Sequence, residues 1–293
     1  MSSAAAERWS KARSFHHSMY PPERIAAERR HSISICLPAR ECEQTVGSIV
    51  ERLQALREAG AIDEIVVLDA DSSDGTAAVA TAAGARVLSE SDLMPGYGPV
   101  LGKGDAMWRA LGSLEGELVC FLDADTEGFS EHFASGLLGP LVCEPGVAFV
   151  KGFYRRPLVA EGEPAGEGGG RVNQLTARPA LALFFPELEA VRQPLAGEMA
   201  TRRDLLESIP FATGYGVEIG MLIDVWRHLG LDGMAQVDLD EHRNRHQPLS
   251  ALTPMAVTVL ATIARRMGRE GRLAAVERGP VERPAHSALR VAP

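Results

Sequence analysis

The chain has 293 residues, of which 45% are hydrophobic and 24% are charged, and its formal net charge is −9. This length allows one or two domains with a full hydrophobic core, and the composition excludes a disordered chain. The acidic balance argues against nucleic-acid binding, which requires a basic face. No apolar run reaches the roughly 20 residues that span a bilayer, and residues 1–20 lack the apolar core of a signal peptide. We therefore expect a cytoplasmic enzyme that binds neither nucleic acid nor membrane.

The first half of the chain alternates predicted strands and helices. Residues 1–31 are polar and partly helical, and ordered structure is predicted to begin at Ser32. The apolar patterns predict strands over 33–37, 64–68, 85–88, 117–122 and 147–153. Helices are predicted over 45–59, 77–83 and 105–114. Such alternation is typical of a parallel sheet with right-handed crossovers.

The second half follows a different pattern. Residues 161–170 are rich in Gly, Glu and Pro and predict a mobile loop. Further helices are predicted over 172–188, with interruptions at its prolines, over 216–229 and over 253–267. A strand is predicted over 235–239, and the Pro-containing segment after Gly271 is predicted to be disordered.

The cysteines and lysines differ in what they indicate. The cysteines follow no metal-ligand spacing and are predicted to be reduced and mostly buried: Cys36, Cys42, Cys120 and Cys143. Lysine occurs only at positions 11, 103 and 151, whereas every other basic side chain that carries a permanent charge is arginine. Lys103 is therefore worth examining for a specific role.

Two aspartates, Asp123 and Asp125, directly follow the apolar strand predicted over 117–122. Ligands of open α/β sheets bind outside the carboxyl ends of the strands. Carboxylates two residues apart at such an end can face one cation, and Mg²⁺ or Mn²⁺ prefers oxygen ligands that it shares with a diphosphate. The pattern favours a metal site over a pair of solvated turn residues.

Two further segments carry polar groups that suit a nucleotide. Asp69 begins the segment 69–76, whose Asp, Ser and Gly residues can cap the next helix, whereas Asp69 itself can hydrogen-bond a ribose or a base; both readings stay open. Lys103 lies between two glycines at a predicted helix start, where a lysine can hold a phosphate. The spacing is not that of a P-loop.

Two basic segments remain. Arg171 follows three glycines, and its guanidinium can bind a carboxylate or a phosphate with two hydrogen bonds, although it can equally be solvated. Residues 242–246, His-Arg-Asn-Arg-His, offer ligand atoms and cations, but such runs are more often solvated.

Taken together, these residues resemble one family of retaining nucleotide-sugar transferases with the GT-A fold. They are the glucosyl-3-phosphoglycerate synthases and their mannosyl counterparts. The resemblance runs from about residue 32 to 267, over the stretches 67–69, 102–104, 122–125, 153–158, 168–175, 177–179, 193–198, 214–220 and 242–245. It implies an α/β fold of GT-A type, with a Rossmann-like, mostly parallel sheet flanked by helices and a smaller mixed α/β C-terminal part. The implied organisation is an N-terminal extension over 1–31, a nucleotide-sugar domain over 32–155, an acceptor-binding part over 156–270 and a tail over 271–293.

The resemblance also implies a role for individual residues. The donor site would be formed by Pro38, Ala39, Glu41, Asp69, Lys103, Asp123, Ala124, Leu195, Gly197, Tyr215 and Glu218. Mg²⁺ or Mn²⁺ would bind to Asp125 and His242. The phosphate and carboxylate of 3-phosphoglycerate would bind to Gly170, Arg171, Asn173 and Asn244. The implied catalytic residues are Lys103, Asp123, Asp125 and Glu218, and the implied assembly is a homodimer.

The chain departs from the family pattern at a few positions. Pro38 is followed by Ala39, Arg40, Glu41, Cys42 and Glu43, where the family usually has an Asn-Glu-Glu run. This loop would contact the nucleoside, so the sequence leaves UDP-glucose and GDP-mannose open as donors, with UDP-glucose favoured. Ala124 and Asn173 replace a frequent Ser and the usual Thr.

The expected chemistry is cleavage of a sugar–phosphate bond. A divalent cation with Lys103 nearby would stabilise the charge that develops on the leaving diphosphate. Glu218 would position the sugar or, in a second scheme, attack it, and direct same-face transfer fits equally well. The alternatives are an inverting GT-A transferase with a lipid or polysaccharide acceptor and a non-catalytic nucleotide-sugar sensor.

Overall fold

The computed structural model describes residues 3–158, 166–167, 170–243, 248–273 and 281–289. Within them the strands are β1 (Ser14–His16), β2 (Ile33–Ala39), β3 (Glu64–Asp69), β4 (Arg86–Ser89), β5 (Leu118–Phe121), β6 (Phe149–Arg155), β7 (Pro157–Leu158), β8 (Gly166–Glu167), β9 (Met199–Arg202), β10 (Phe211–Ala212), β11 (Met234–Glu241) and β12 (Glu282–Arg283). The α-helices are α1 (Ser3–Arg13), α2 (Pro22–Glu28), α3 (Glu43–Glu58), α4 (Thr76–Ala82), α5 (Lys103–Ala110), α6 (His132–Cys143), α7 (Arg178–Phe184), α8 (Arg203–Ser208), α9 (Val217–Leu229), α10 (Leu249–Arg269) and α11 (His286–Leu289).

Eight strands form the central sheet, in the order β1-β11-β6-β9-β5-β2-β3-β4. Neighbouring strands are parallel except β9, which is antiparallel to both β5 and β6. All four residues of β5 are buried, as expected for a strand covered on both faces. The predicted mostly parallel α/β sheet is therefore confirmed.

Two apolar clusters lie on opposite faces of the sheet. Cys36 and Val66 belong to one cluster, together with residues of α5, α8 and α9. Ile35 and Val67 belong to the other, together with residues of α3, α4 and α6. This division follows from the strands, because successive side chains point to opposite faces. Layers of helices therefore cover both faces and leave the strand ends open for a site.

The cysteines agree with the prediction. All four are free thiols, and Cys36, Cys42 and Cys120 are buried. Burial raises the pKa of Cys42 to about 11, so its thiol is protonated at neutral pH. In the described part of the chain, no helix is both long enough and apolar enough to cross a membrane.

The predicted boundary at residue 155 does not divide the sheet. The acceptor-binding part was expected to begin at 156, but β9 from that part lies between β5 and β6. β9 has only four residues and was not predicted, and neither was α6. The two predicted parts therefore share one sheet, and their separation is corrected.

The segment before Ser32 also belongs to the fold. β1 pairs in parallel with β11 at the edge of the sheet. Trp9 of α1 is buried and donates a hydrogen bond from Nε1 to the carbonyl of Leu231 at 2.8 Å. The expectation that ordered structure begins at Ser32 is corrected for residues 3–31.

Part of the predicted disordered tail packs against the domain. β12 pairs with β10, and Arg283 donates hydrogen bonds to both carboxylate oxygens of Asp105 at 2.6 and 2.9 Å. Trp108 Nε1 donates to the carbonyl of Pro284 at 2.8 Å. The prediction of disorder is therefore corrected for residues 281–289. The remaining tail residues 274–280 and 290–293 lie outside the described part.

Replacing Arg283 with methionine should lower the free energy of unfolding by about 3 kcal/mol, because Asp105 would keep a buried charge with one partner fewer. The Asp105 side chain is fully buried, and Arg109 Nη2 at 3.2 Å is its other cationic partner. Urea unfolding of Arg283→Met and of Arg8→Met, an exposed arginine of α1, measures the difference. Equal stability of the two variants would show that the pair of Arg283 with Asp105 contributes nothing to stability.

Candidate active site

The carboxyl ends of β2, β3 and β5 meet at one edge of the sheet. β2 lies between β3 and β5, so the predicted donor residues at the end of β2 lie beside Asp69, which pairs with Ala39. After β5 the chain turns through Asp123 and Asp125. Thr45 fixes this turn, because its Oγ1 donates to the carbonyl of Ala124 at 2.7 Å. The topology thus brings the predicted nucleoside and metal residues to one edge.

Lys103, the first residue of α5, lies between two carboxylates. Its Nζ donates to Asp123 Oδ1 at 2.7 Å and lies 3.2 Å from Glu218 Oε1. Burial opposes its charge, but Asp123 and Glu218 outweigh that effect and raise the pKa of Lys103 above its ordinary value. The ammonium therefore stays charged at neutral pH. It bridges Asp123, beside the predicted metal site, and Glu218 of α9.

The glycines around Lys103 have a packing role. A Cβ on Gly104 would lie 2.0 Å from the carbonyl oxygen of Ala212, and Gly102 has a φ of +83°. Side chains are strained or excluded at both positions. The Gly-Lys-Gly motif thus brings the start of α5 close against β10, which places Lys103 between Asp123 and Glu218.

A group of possible metal ligands lies beside Lys103. One ligand atom each from Asp123, Glu198 and His242 lies within 4.8 Å of the other two. Asp125 follows in the same turn, and burial together with the negative charge of Asp123 raises the pKa of its carboxyl. His242 Nδ1 is buried and has no hydrogen-bond partner among the described residues, whereas the buried Glu198 Oε1 lies 2.9 Å from His242 Nε2. Carboxylates and an imidazole with one unpartnered nitrogen fit a divalent cation.

Glu198 was not predicted as a site residue. It accepts a hydrogen bond from the Tyr154 hydroxyl at 2.6 Å, and its Oε1 lies 2.9 Å from His242 Nε2. The Tyr154 ring stacks on the His242 ring at 4.5 Å. Burial opposes ionisation of Glu198, but His242 and Arg156 lower the pKa of its carboxyl far below the usual range. Its place in the family stretch 193–198 was the available signal.

Lys151 is a second residue that the prediction passed over. It is buried, and its Nζ donates a hydrogen bond to the carbonyl of Ala196, next to Leu195 and Gly197. Burial lowers the pKa of Lys151 to about 8. Two of the three lysines of this chain therefore lie at the site, so the rarity of lysine was the signal that could have found it.

Two aspartates of the segment 69–76, at the predicted nucleoside pocket, have different roles. Asp74, which precedes the N-cap residue of α4, accepts hydrogen bonds from the Thr76 backbone N–H at 3.0 Å and from the Thr76 hydroxyl, so it satisfies the first N–H of the helix. Asp69 is buried, and its Oδ1 has no hydrogen-bond partner among the described residues. Glu41 accepts from the backbone N–H of Ser73 at 2.8 Å, which ties the two loops together. Asp69 thus keeps one oxygen free for a ligand.

The predicted acceptor residues lie where the helical segment after Gly170 begins. Asn173 is buried, and its Oδ1 accepts from the Leu195 backbone N–H at 3.3 Å. Gly170 and Arg171 border the same cleft as Lys103. Asn244 and most of the loop 161–170, which was predicted to be mobile, lie outside the described residues.

These side chains surround a cleft of about 240 Å³. The predicted site residues that line it are Lys103, Asp123, Asp125, Gly170, Arg171, Asn173, Leu195, Gly197, Tyr215 and Glu218. Arg156 and Tyr154, which were not predicted, line it too. The predicted residues outside the lining are Pro38, Ala39, Glu41, Asp69 and Ala124 at the strand ends and the buried His242. The structure therefore joins most of the predicted donor and acceptor residues in one cleft.

Comparison with known proteins gives a consistent result. The glycosyl transferase family 2 profile matches residues 34–141. The glucosyl-3-phosphoglycerate synthase of Mycolicibacterium smegmatis is 48% identical over 243 residues, which cover 83% of this chain and 80% of that protein. The chain belongs to the glucosyl-3-phosphoglycerate synthase family. It is therefore a glycosyltransferase, and the predicted family and enzyme class are confirmed.

Solved structures agree with this assignment. The mannosyl-3-phosphoglycerate synthase of Rubrobacter xylanophilus superposes with a TM-score of 0.90 at 45% identity, covering 97% of this chain and 98% of that chain. The glucosyl-3-phosphoglycerate synthase of Mycobacterium tuberculosis, solved with Mn²⁺, UDP-glucose and phosphoglyceric acid, superposes with a TM-score of 0.83 at 40% identity, covering 92% and 96%. The predicted GT-A fold is confirmed.

Proposed function

We propose that this glycosyltransferase moves glucose from UDP-glucose to the 2-hydroxyl of 3-phosphoglycerate, with retention of configuration and with Mn²⁺ or Mg²⁺. The observation that carries the proposal is the cleft itself. It joins acidic groups suited to a cation, the Lys103 ammonium and two arginines in one pocket. A pocket of this kind suits an anionic donor and a small anionic acceptor at the same time.

On the donor side, Asp69 offers its unpartnered oxygen to the ribose or base. The cation would be held by Asp125 and His242, with Asp123 and Glu198 close to the imidazole. When bound, it would act as a Lewis acid on the leaving diphosphate. Lys103 holds a fixed positive charge beside Asp123, so its electrostatic effect requires no rearrangement during the reaction.

Glu218 is better suited to positioning the sugar than to attacking it. Its Oε1 lies 3.2 Å from the Lys103 ammonium, and its side chain is 9% exposed. A carboxylate held by an ammonium is a poorer nucleophile, because the ion pair stabilises its charge. This contact favours same-face transfer, in which the leaving phosphate takes the proton of the acceptor hydroxyl.

On the acceptor side, the cleft offers cations and hydrogen-bond donors. Arg171 and Arg156 line it, and Arg156 Nη2 donates to the Tyr154 hydroxyl at 2.9 Å. A guanidinium binds a phosphate or a carboxylate with two parallel hydrogen bonds. Phosphoglycerate carries both groups and so can use both arginines. A lipid or polysaccharide acceptor has no comparable need for them.

The decisive experiment is a matrix of donors and acceptors with Mn²⁺. UDP-glucose, GDP-glucose and GDP-mannose are each assayed against 3-phosphoglycerate, 2-phosphoglycerate and glycerol 3-phosphate. We expect the highest kcat/KM for UDP-glucose with 3-phosphoglycerate. Donor hydrolysis without transfer to any of these acceptors would contradict the proposed acceptor. Binding of a donor without hydrolysis or transfer would favour a sensor.

One alternative donor has structural support. The Rubrobacter xylanophilus protein, which superposes on this chain with the TM-score of 0.90, is a mannosyl-3-phosphoglycerate synthase. The loop after Pro38 also departs from the usual family sequence at Arg40 and Glu41. GDP-mannose is therefore the second candidate donor, and the same matrix decides between the two.

Replacing Arg171 with alanine should raise the KM for 3-phosphoglycerate roughly 10- to 150-fold, since a charge-assisted pair contributes about 1.5–3 kcal/mol. The KM for the nucleotide sugar should change little. Arg178→Ala is the matched control, because Arg178 is exposed and follows in the same helical segment. Equal increases for both substrates would mean that Arg171 is structural.

We also propose that the enzyme is a homodimer built from its C-terminal part. Neighbouring elements expose large apolar side chains, with Leu175 77% and Leu183 74% exposed near α7, and Val257 53% exposed on α10. Isolated apolar residues are normal on a surface, but several on contacting elements indicate an interface. Sedimentation of Leu183→Glu should give a monomer, whereas Met19→Glu, at another exposed apolar position, should not. A monomeric wild type would refute the proposal.

A further inference from the structure

A second group of possible metal ligands lies away from the cleft. It consists of His16 and His17, at and just after the end of β1, and Asp240 near the end of β11. We call these three residues the edge triad. β1 and β11 are parallel neighbours at the edge of the sheet, so their carboxyl ends lie side by side. None of the three lines the cleft, and no role in the proposed transfer requires them.

The ligand atoms of the edge triad already converge. His17 Nε2 lies 2.7 Å from Asp240 Oδ2, and His16 Nε2 lies 3.4 Å from Asp240 Oδ1. One ligand atom from each residue lies within 4.8 Å of the other two. A tetrahedral zinc ion with bonds of about 2.1 Å separates adjacent ligand atoms by roughly 3.4 Å. The triad therefore needs only small shifts to accept such an ion.

We propose that the edge triad is a binding site for a transition-metal ion of the zinc class, distinct from the cation site of the cleft. Two imidazoles and one carboxylate suit Zn²⁺, Cu²⁺ or Ni²⁺, whereas Mg²⁺ prefers oxygen ligands. The site takes Zn²⁺ through His16 Nε2, His17 Nε2 and the Asp240 carboxylate. Solvent supplies the remaining ligand, because His16 and Asp240 are about half exposed, at 45% and 50%.

The surroundings hold the histidines in place. His16 Nδ1 lies 2.8 Å from Ser18 Oγ, which can accept a hydrogen bond from a protonated Nδ1 when Nε2 binds a metal. The backbone N–H of Ser18 donates to Nδ1 at 3.3 Å, and metal binding at Nε2 would exchange that bond for the one to Ser18 Oγ. The His17 ring stacks between the rings of His16 and His132, with centroid distances of 4.4 and 4.2 Å. Neighbours of this kind orient metal-binding histidines and strengthen the site.

The backbone at Asp240 supports the same conclusion. Asp240 has a φ of +63°, an uncommon conformation for a residue other than glycine. Its N–H donates to Asp238 Oδ1 at 3.0 Å, which stabilises the turn. His132 of α6 lies 3.1 Å from the carbonyl of Leu239, so the preceding residue is held as well. This turn places the Asp240 carboxylate beside both histidines.

A metal ion here would connect two distant parts of the chain. It would join the start of the chain to the end of β11, the strand that leads to His242. A ligand that binds only the folded protein stabilises it by mass action. We therefore expect Zn²⁺ to raise the midpoint of thermal unfolding when the triad is intact.

The test is equilibrium dialysis of the full chain with Zn²⁺, in excess Mg²⁺ that competes for the oxygen-rich cleft. His17→Gln and Asp240→Asn should each weaken zinc binding at one site. The loss of affinity should exceed the roughly 10- to 100-fold that is typical when a residue behind a metal ligand is lost. His31→Gln is the matched control. His31 Nδ1 lies 3.2 Å from Glu117, so this site also has a histidine beside a carboxylate, but it has one histidine where the edge triad has two. This control should bind zinc like the wild type.

Electron paramagnetic resonance of the Cu²⁺-loaded chain gives an independent measurement. The wild type should show coupling to two imidazole nitrogens at this site, and His16→Gln should show coupling to one. Unchanged zinc affinity in both His17→Gln and Asp240→Asn would overturn the proposal, as would an equal loss in His31→Gln. If His17→Gln fails to fold by circular dichroism, the same comparison is made with His16→Gln. Transfer activity does not enter the test, so failure here leaves the proposed function standing.

Discussion

Replacing Asp125 with asparagine should lower kcat about 1000-fold and should abolish the dependence of turnover on Mn²⁺. Asparagine keeps the size of the side chain but removes the negative charge that attracts a cation. The stabilisation of the leaving diphosphate, the largest electrostatic contribution in such a site, would then be lost. Turnover is measured with UDP-glucose and 3-phosphoglycerate over a range of Mn²⁺ concentrations.

Asp232→Asn is the control for this experiment, because Asp232 is exposed on the short helix after α9. It should retain wild-type activity and metal dependence. If Asp125→Asn keeps its activity in the presence of a chelator, the metal role is refuted. If it loses affinity for Mn²⁺ but regains full kcat at high Mn²⁺, Asp125 contributes binding alone and the remaining ligands suffice for catalysis.

Replacing Lys103 with methionine should lower kcat by a factor of about 1000 and should also weaken binding of the nucleotide sugar. The ammonium lies 2.7 Å from Asp123 and 3.2 Å from Glu218. Without it, two carboxylates would face each other in a partly buried site, and the donor diphosphate would lose its nearest fixed cation. Steady-state kinetics and UDP binding by calorimetry measure the two effects.

The chain supplies its own control in Lys11, which is exposed on α1. Lys11→Met should match the wild type in both measurements. Lys103→Arg tests the geometry, because a planar guanidinium is larger than an ammonium and donates its hydrogen bonds in a fixed fork. A fully active Lys103→Met variant would show that the charge between Asp123 and Glu218 has no part in the reaction.

Some residues of the site could be predicted from the sequence, and others could not. Asp123 and Asp125 could be found because they directly follow an apolar strand. Glu198 could not be assigned a role in this way, since its importance comes from contacts with Tyr154 and His242, which lie in other strands or beyond them. The rarity of lysine marks Lys151 as unusual, but nothing in its apolar strand shows that its Nζ meets the carbonyl of Ala196.

The alternating strands and helices of the first half could be predicted from local sequence, because the spacing of apolar residues shows which face of each element is buried. The sequence also indicated the family, through short stretches that carry the chemistry. Val46, Ile49 and Leu53 recur at helical spacing within the predicted helix 45–59, and all three are buried in α3.

Contacts between groups that are distant in sequence became visible only in the folded chain. β9 lies in the centre of the sheet, and Arg283 binds Asp105, which is 178 positions away in sequence. In the same way, His17 of the N-terminal segment lies beside Asp240. The local spacing of apolar residues cannot predict such pairs. The partner of a buried charge depends on how whole helices and strands pack, not on its neighbours in sequence.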